Sequence, residues 1–122
     1  MLDCSYCQEV IFGSEYQEQK NNGVSLYYHI ACFKTKIDKR LKIYSKIDEE
    51  RNYQDTLSGN MNHKGIPTIE AEIIMLEHYL QEAKRLWVTS YGNNTPPLDS
   101  LRKVAGIAIR CLENHGCPSR NL

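Results

Sequence analysis

The chain has 122 residues, with Lys plus Arg and Asp plus Glu both at 15, so its formal net charge is zero. That balance gives no overall field to make nucleic acid or an anionic membrane an obligatory partner, and no stretch approaches the roughly 20 apolar residues of a membrane span. Met1-Leu2-Asp3-Cys4 lacks the basic start and apolar core of a secretory leader, and five cysteines suit a reducing compartment better than a disulfide scaffold, so the expectation is a soluble cytoplasmic protein.

In chain order, the first signal is Cys4-x2-Cys7, then twenty-one residues, then His29-x2-Cys32. Three thiolates and an imidazole in two close pairs match the tetrahedral nitrogen and sulfur preference of Zn²⁺. Four protein donors close the site and leave no position for an activated water, so the expected metal is structural zinc on Cys4, Cys7, His29 and Cys32. Between the pairs, Glu9-Val10-Ile11-Phe12 and Val24-Ser25-Leu26-Tyr27-Tyr28 are β-prone. Gly13-Ser14 and Asn21-Asn22-Gly23 join them, predicting one small hairpin. His29 and Cys32, three apart, can share one side of a first helical turn.

This arrangement resembles a treble-clef zinc finger, and Tyr27-Tyr28-His29-Ile30-Ala31-Cys32-Phe33 is similar to the His-x2-Cys-Phe half of LIM and poly-ADP-ribose-polymerase fingers. The second zinc half of a complete LIM domain does not follow. Partner binding of that style is what the resemblance implies; for an adaptor or inhibitor the expected contact surface is Tyr27, Tyr28 and Phe33 or an exposed helix seam. The zinc module is expected to cover 1–36 and a helical domain 37–122.

Phe33, Ile37, Leu41, Tyr44 and Ile47 recur at three- and four-residue steps among charged residues, predicting an amphipathic helix to about Leu57. Ser58 to Pro67 reads as a Gly/Asn-rich loop. Thr68 is a candidate cap for a second helix, with Glu70 and Glu72 in its first turn. Ile69, Ile73, Leu76, Leu80, Ala83 and Trp87 form a seam along that helix. Tyr91-Gly92-Asn93-Asn94 ends it, Thr95 is the next candidate cap and Pro96 suits a first helical position. Leu98, Leu101, Val104, Ala105, Ala108, Ile109 and Leu112 then form the apolar face of a third helix, stopped by His115-Gly116-Cys117-Pro118. Cys111, His115 and Cys117 lack a fourth ligand, and a buried Cys111 explains them more simply than a second metal.

The fold class is thus mainly α, with a small β-hairpin zinc module and a three-helix region too small to cover its apolar faces alone. A homo-oligomer completing the bundle is expected.

The segments Ile47 to Asp55, Met75 to Ala83 and Leu101 to Glu113 are similar to small phage and prophage proteins related to the MazG-like all-α nucleotide pyrophosphohydrolases. That resemblance implies carboxylates on facing helices holding Mg²⁺ against a triphosphate. Glu82 and Asp99 match acidic positions, but His78 and Tyr79 stand where a glutamate pair is expected, and Ser100 and Lys103 replace further carboxylates. The pocket is therefore expected to outlast the reaction. Arg51, Tyr53, Gln54, His78, Trp87, Arg102 and Arg110 become candidates to bind a nucleotide-derived molecule through guanidinium forks and aromatic stacking. Two alternatives stand beside this non-catalytic binding protein: a Mg²⁺-dependent pyrophosphohydrolase using Glu49, Glu50, Glu82 and Asp99, and a protein-interaction adaptor or inhibitor.

Overall fold

A computed structural model describes residues 1–61 and 65–120, with backbone only for 58–61. Asn62, His63 and Lys64 of the expected loop lie outside the described residues. Met1–Tyr44, which Arg120 joins, and Ser45–Ser119 form two compact units, the division falling inside one long helix.

In the first unit, β1 (Leu2–Asp3) pairs antiparallel with β2 (Val10–Ile11), Leu2 opposite Ile11. The Cys4 to Cys7 knuckle fills the turn: the Cys4 amide donates to the Glu9 carbonyl and the Gln8 amide to the Cys4 carbonyl, both at 2.8 Å. β3 (Gln17–Asn21) pairs antiparallel with β4 (Val24–Tyr28). The module therefore has two hairpins, and the expected pairing of Glu9 to Phe12 with Val24 to Tyr28 does not form. Gln-Glu-Gln-Lys-Asn carries no β-branched or aromatic residue, so β3 gives no strand signal of its own. The turn supplies it, because Asn22 and Gly23 have φ of 56° and 80°, the left-handed pair a two-residue primed turn requires.

α1 (Ile30–Met61) begins where the His29 carbonyl accepts from the Phe33 amide at 2.9 Å. It runs through Ser58 and Gly59, past the predicted end at Leu57. Cys4, Ile11 and Tyr28 are the buried core of the module, with Leu2, Tyr27, Cys32 and Phe33 packed against them. The rings of Tyr28 and Phe33 lie 5.4 Å apart. Of the aromatics expected as a contact surface, Tyr28 is buried in this core, while Tyr27 and Phe33 pack against it and stay partly exposed. Lys36 ties α1 to the second hairpin, donating to the Tyr28 hydroxyl at 2.8 Å and to Gln19 at 2.9 Å.

In the second unit, α2 (Ile69–Thr89) and α3 (Thr95–His115) pack as a helical hairpin. Thr68 caps α2 as its sequence suggests, its side chain accepting from the Ala71 amide at 3.1 Å. At α3 the cap is different: Asn94 holds the cap position, Thr95 is already helical, and the Asn93 side chain accepts from the Thr95 amide at 3.1 Å. Tyr91 and Gly92 make the turn with φ of 50° and 87°.

Which residues the hairpin buries is the largest departure from the sequence reading. Of the expected α2 seam only Ala83 is buried, while Ile69, Ile73, Leu80 and Trp87 are half or more exposed. α3 buries Pro97, Ser100, Gly106 and Ile107, leaving Leu98, Leu101, Ile109 and Leu112 exposed. The inward line on α2 runs instead through Glu72, Leu76, Tyr79, Ala83 and Leu86, again at steps of four and three. A charged residue opens that line. Glu72 is wholly buried and accepts both oxygens' worth of bonding from Arg110, at 2.8 Å and 3.0 Å. On the other side of α3, Gly106 lets α1 approach: a Cβ there meets Gln54 Nε2 at 2.8 Å and Glu50 Cγ at 2.9 Å.

Two stability measurements follow. Gly106→Ala should destabilise by roughly 1–3 kcal/mol through overpacking, although helix propensity alone favours alanine by about 1 kcal/mol; urea unfolding reads the sign. Arg110→Met should cost about 3–5 kcal/mol by stranding the Glu72 carboxylate, and Glu72→Leu added to it should restore most of that loss.

Candidate functional site

The metal quartet assembles from the knuckle and the start of α1. Cys4 and Cys7 come from the turn between β1 and β2, His29 caps α1 and Cys32 stands in its first turn. All four donor atoms lie within 4.8 Å of one another. His29 Nδ1 is 3.4 Å from Cys7 Sγ and 3.8 Å from Cys32 Sγ. Zinc bond lengths of about 2.3 Å to sulfur and 2.05 Å to nitrogen, at a tetrahedral angle, put such donors about 3.6 Å apart, so the spacing fits the ion. The far ring nitrogen, Nε2, is 3.2 Å from the Val10 carbonyl. A proton there orients the ring and leaves Nδ1 free to coordinate.

The thiols also show why a cation belongs. Burial, followed by hydrogen bonds and the charges of Cys4 and Cys7, pushes the Cys32 thiol up to about 11. Burial raises Cys4 too, yet hydrogen bonding to the backbone of Cys7, His29 and Tyr6 outweighs it and brings that thiol down to about 6. Three thiolates cannot coexist comfortably in so small a space without positive charge. Bound Zn²⁺ supplies that charge and cross-links the knuckle to α1.

In the second unit the expected ligand residues divide among different surroundings. Tyr53, Gln54 and Arg110 line one cavity of about 530 Å³ with Glu50, Met75, Tyr79 and Lys103. Arg102 and Tyr53 border another recess with Lys46, Glu49, Glu50, Asp99 and Lys103. Trp87 lies in a separate apolar groove with Leu80, Pro97 and Leu101. His78 stacks edge-on against Tyr79 at 5.1 Å and lines none of these.

The guanidinium groups are committed to carboxylates. Arg51, buried, bonds Glu113 at 2.8 Å and Asp55 at 2.9 Å, and holds the Glu113 carboxyl below its ordinary range. Arg102 bonds Glu50 at 3.1 Å and Asp99 at 2.6 Å, and Arg110 belongs to Glu72. The acids are matched in turn: Glu82 pairs with Arg85 at 2.5 Å, Glu49 with Lys46 at 3.7 Å, and Asp99 also with Lys103 at 3.5 Å.

Two buried side-chain atoms lack a hydrogen bond among the described residues: Arg51 Nη1, which keeps its ion pair with Asp55, and an atom of Gln54. Its amide nitrogen donates to Glu50 at 3.1 Å and to the Lys103 carbonyl at 3.4 Å, which fixes the orientation of the amide because both neighbours accept. Its Oε1 is buried without a hydrogen-bond partner among the described residues. Glu50, Arg51, Gln54, Glu72 and Ser100 are the buried polar residues among those described, and periodicity of apolar residues passes over all of them; a polar side chain on an inward helical step was the available signal. At the end of α3, His115 Nε2 sits 2.8 Å from the Pro67 carbonyl, and Cys111, His115 and Cys117 do not come together as a metal group among the described residues.

Metal analysis of the purified chain should give one zinc per molecule. Cys32→Ser should lower zinc affinity by orders of magnitude and, with strong chelation of the native chain, melt the strand signal in circular dichroism, because metal binding energy of about 10–16 kcal/mol is folding energy in modules of this size.

The chain thus carries a Cys3His site suited to structural zinc at the head of a mainly α fold. Compared with known proteins, it matches no family model, no curated protein and no solved structure.

Proposed function

We propose that this chain is a zinc-stabilised, non-catalytic binding protein whose helical unit takes up a nucleotide-derived small molecule in the cavity beside Gln54. The carrying observation is that Gln54, whose buried Oε1 has no hydrogen-bond partner among the described residues, lines a cavity of about 530 Å³. A buried acceptor without a partner costs roughly 1–3 kcal/mol, which a ligand N–H returns on binding. Tyr53 and Tyr79 line the same cavity and offer π-faces to a planar base, and Lys103 and Arg110 are cations within reach of a phosphate. With Arg110 shared with Glu72, and Lys103 with Asp99, the phosphate contribution is modest and the base edge carries recognition.

Glu49, Glu50, Glu82 and Asp99 are each engaged by a Lys or Arg, an arrangement that supports binding over Mg²⁺-dependent hydrolysis. The resemblance to pyrophosphohydrolase-related phage proteins gives this reading its setting, a phage or prophage accessory or anti-defence factor that sequesters a nucleotide signal in the cytoplasm. No described helix is long and apolar enough to cross a membrane.

Calorimetry and native mass spectrometry against a panel of nucleotides, with pyrophosphate release followed in Mg²⁺, test the reading. The expected result is retention of one ligand without turnover, weakened roughly five- to hundred-fold by Gln54→Leu. Absence of binding across the panel, or Mg²⁺-dependent pyrophosphate release, overturns it.

A further inference from the structure

The groove holding Trp87 plays no part in the proposed ligand site. α2 presents Ile73, Leu80 and Trp87 at steps of seven, each more than half exposed at 54%, 54% and 64%. Seven residues advance about 10.5 Å along a helix and return almost to the same side, so the three lie in one line. Leu101 of α3 borders the same groove, which is almost wholly apolar. Glu77 and Lys84 edge it, one turn beyond Ile73 and Leu80 respectively, and neither has an ion-pair partner among the described residues.

We propose that this face is covered by a second copy of the chain, with the two α2 helices antiparallel about a two-fold axis at Leu80. Charge decides the direction. A parallel pairing brings Glu77 level with Glu77 and Lys84 level with Lys84. The antiparallel pairing brings each Glu77 within one residue of the position opposite the partner's Lys84, twice per dimer, and places Ile73 opposite the partner's Trp87 with the two Leu80 side chains meeting at the axis. Leu101 then closes the sides, and two α2–α3 hairpins make a four-helix bundle.

Sedimentation equilibrium on the full zinc-loaded chain tests the proposal, with circular dichroism to verify folding of each variant. The native chain is expected to be dimeric at micromolar concentration. Glu77→Lys or Lys84→Glu alone should weaken the dimer roughly ten-fold, because two attractive pairs become repulsive, and the combined reversal should restore it. Trp87→Arg should weaken it at least roughly a hundred-fold, the cost of placing a charge in the apolar seam against the partner's α2. A native monomer, a dimer indifferent to Trp87→Arg, or single reversals that their combination does not rescue overturns the proposal. None of these readings depends on whether a nucleotide binds at Gln54.

Discussion

Glu72 is wholly shut away from solvent, and the packing of α2 on α3 accommodates that fact. A carboxylate taken out of solvent loses several kcal/mol of hydration unless a cation and good geometry replace it, and Arg110 supplies both oxygens with a planar fork. The pair joins the first turn of α2 to the last turns of α3, so it sets how far the two helices overlap. Once that register is set, the inward line through Leu76, Tyr79, Ala83 and Leu86 meets α3, and the more apolar residues of α2 are turned outward. The same pattern repeats where α1 meets α3, with Glu50 and Arg102 in place of Glu72 and Arg110 and Gly106 allowing the approach. A unit organised in this way gains specificity of register from its charges, since sliding either helix by one turn strands an ion without a counter-ion.

This explains which parts of the structure were legible in the sequence. The zinc quartet was legible because ligand spacing is a local property that no packing can alter, and the structure brings Cys4, Cys7, His29 and Cys32 together. The three helices were legible from their periods and from Thr68. The faces of those helices were not. Ile73, Leu80 and Trp87 keep the same period as Glu72, Tyr79 and Leu86, offset by one residue, so periodicity alone cannot choose between the two lines, and hydrophobicity favours the one that is exposed. β3 was hidden for a different reason. Its residues have no strand preference, and only the turn at Asn22-Gly23 and pairing with β4 hold it extended.

The two units use metal and charge in complementary ways. In the first, zinc ligands surround a core whose buried side chains, among the described residues, are Ile11, Tyr28 and the ligand Cys4. That is too little apolar burial for independent stability in a module of this length, and the ion replaces the missing core. In the second, buried charges restrict the helices to one arrangement while leaving the amide of Gln54 short of one partner. A site with a single unmet requirement selects for molecules that carry the missing group.

The scarcity of buried apolar residues in the helical unit also bears on heat. Unfolding raises heat capacity mainly through the apolar surface it exposes, and here Ala83 and Ile107 are the buried hydrophobic residues of that unit among those described. Such a unit has a shallower stability curve than a domain of its length built on a wholly apolar core. Ion pairs add to the flatness, because the hydration that charged groups forgo on burial becomes less favourable as temperature rises. Curvature belongs to the surfaces that remain outside, at Ile73, Leu80 and Trp87, and enters the thermodynamics of the molecule only when they are covered.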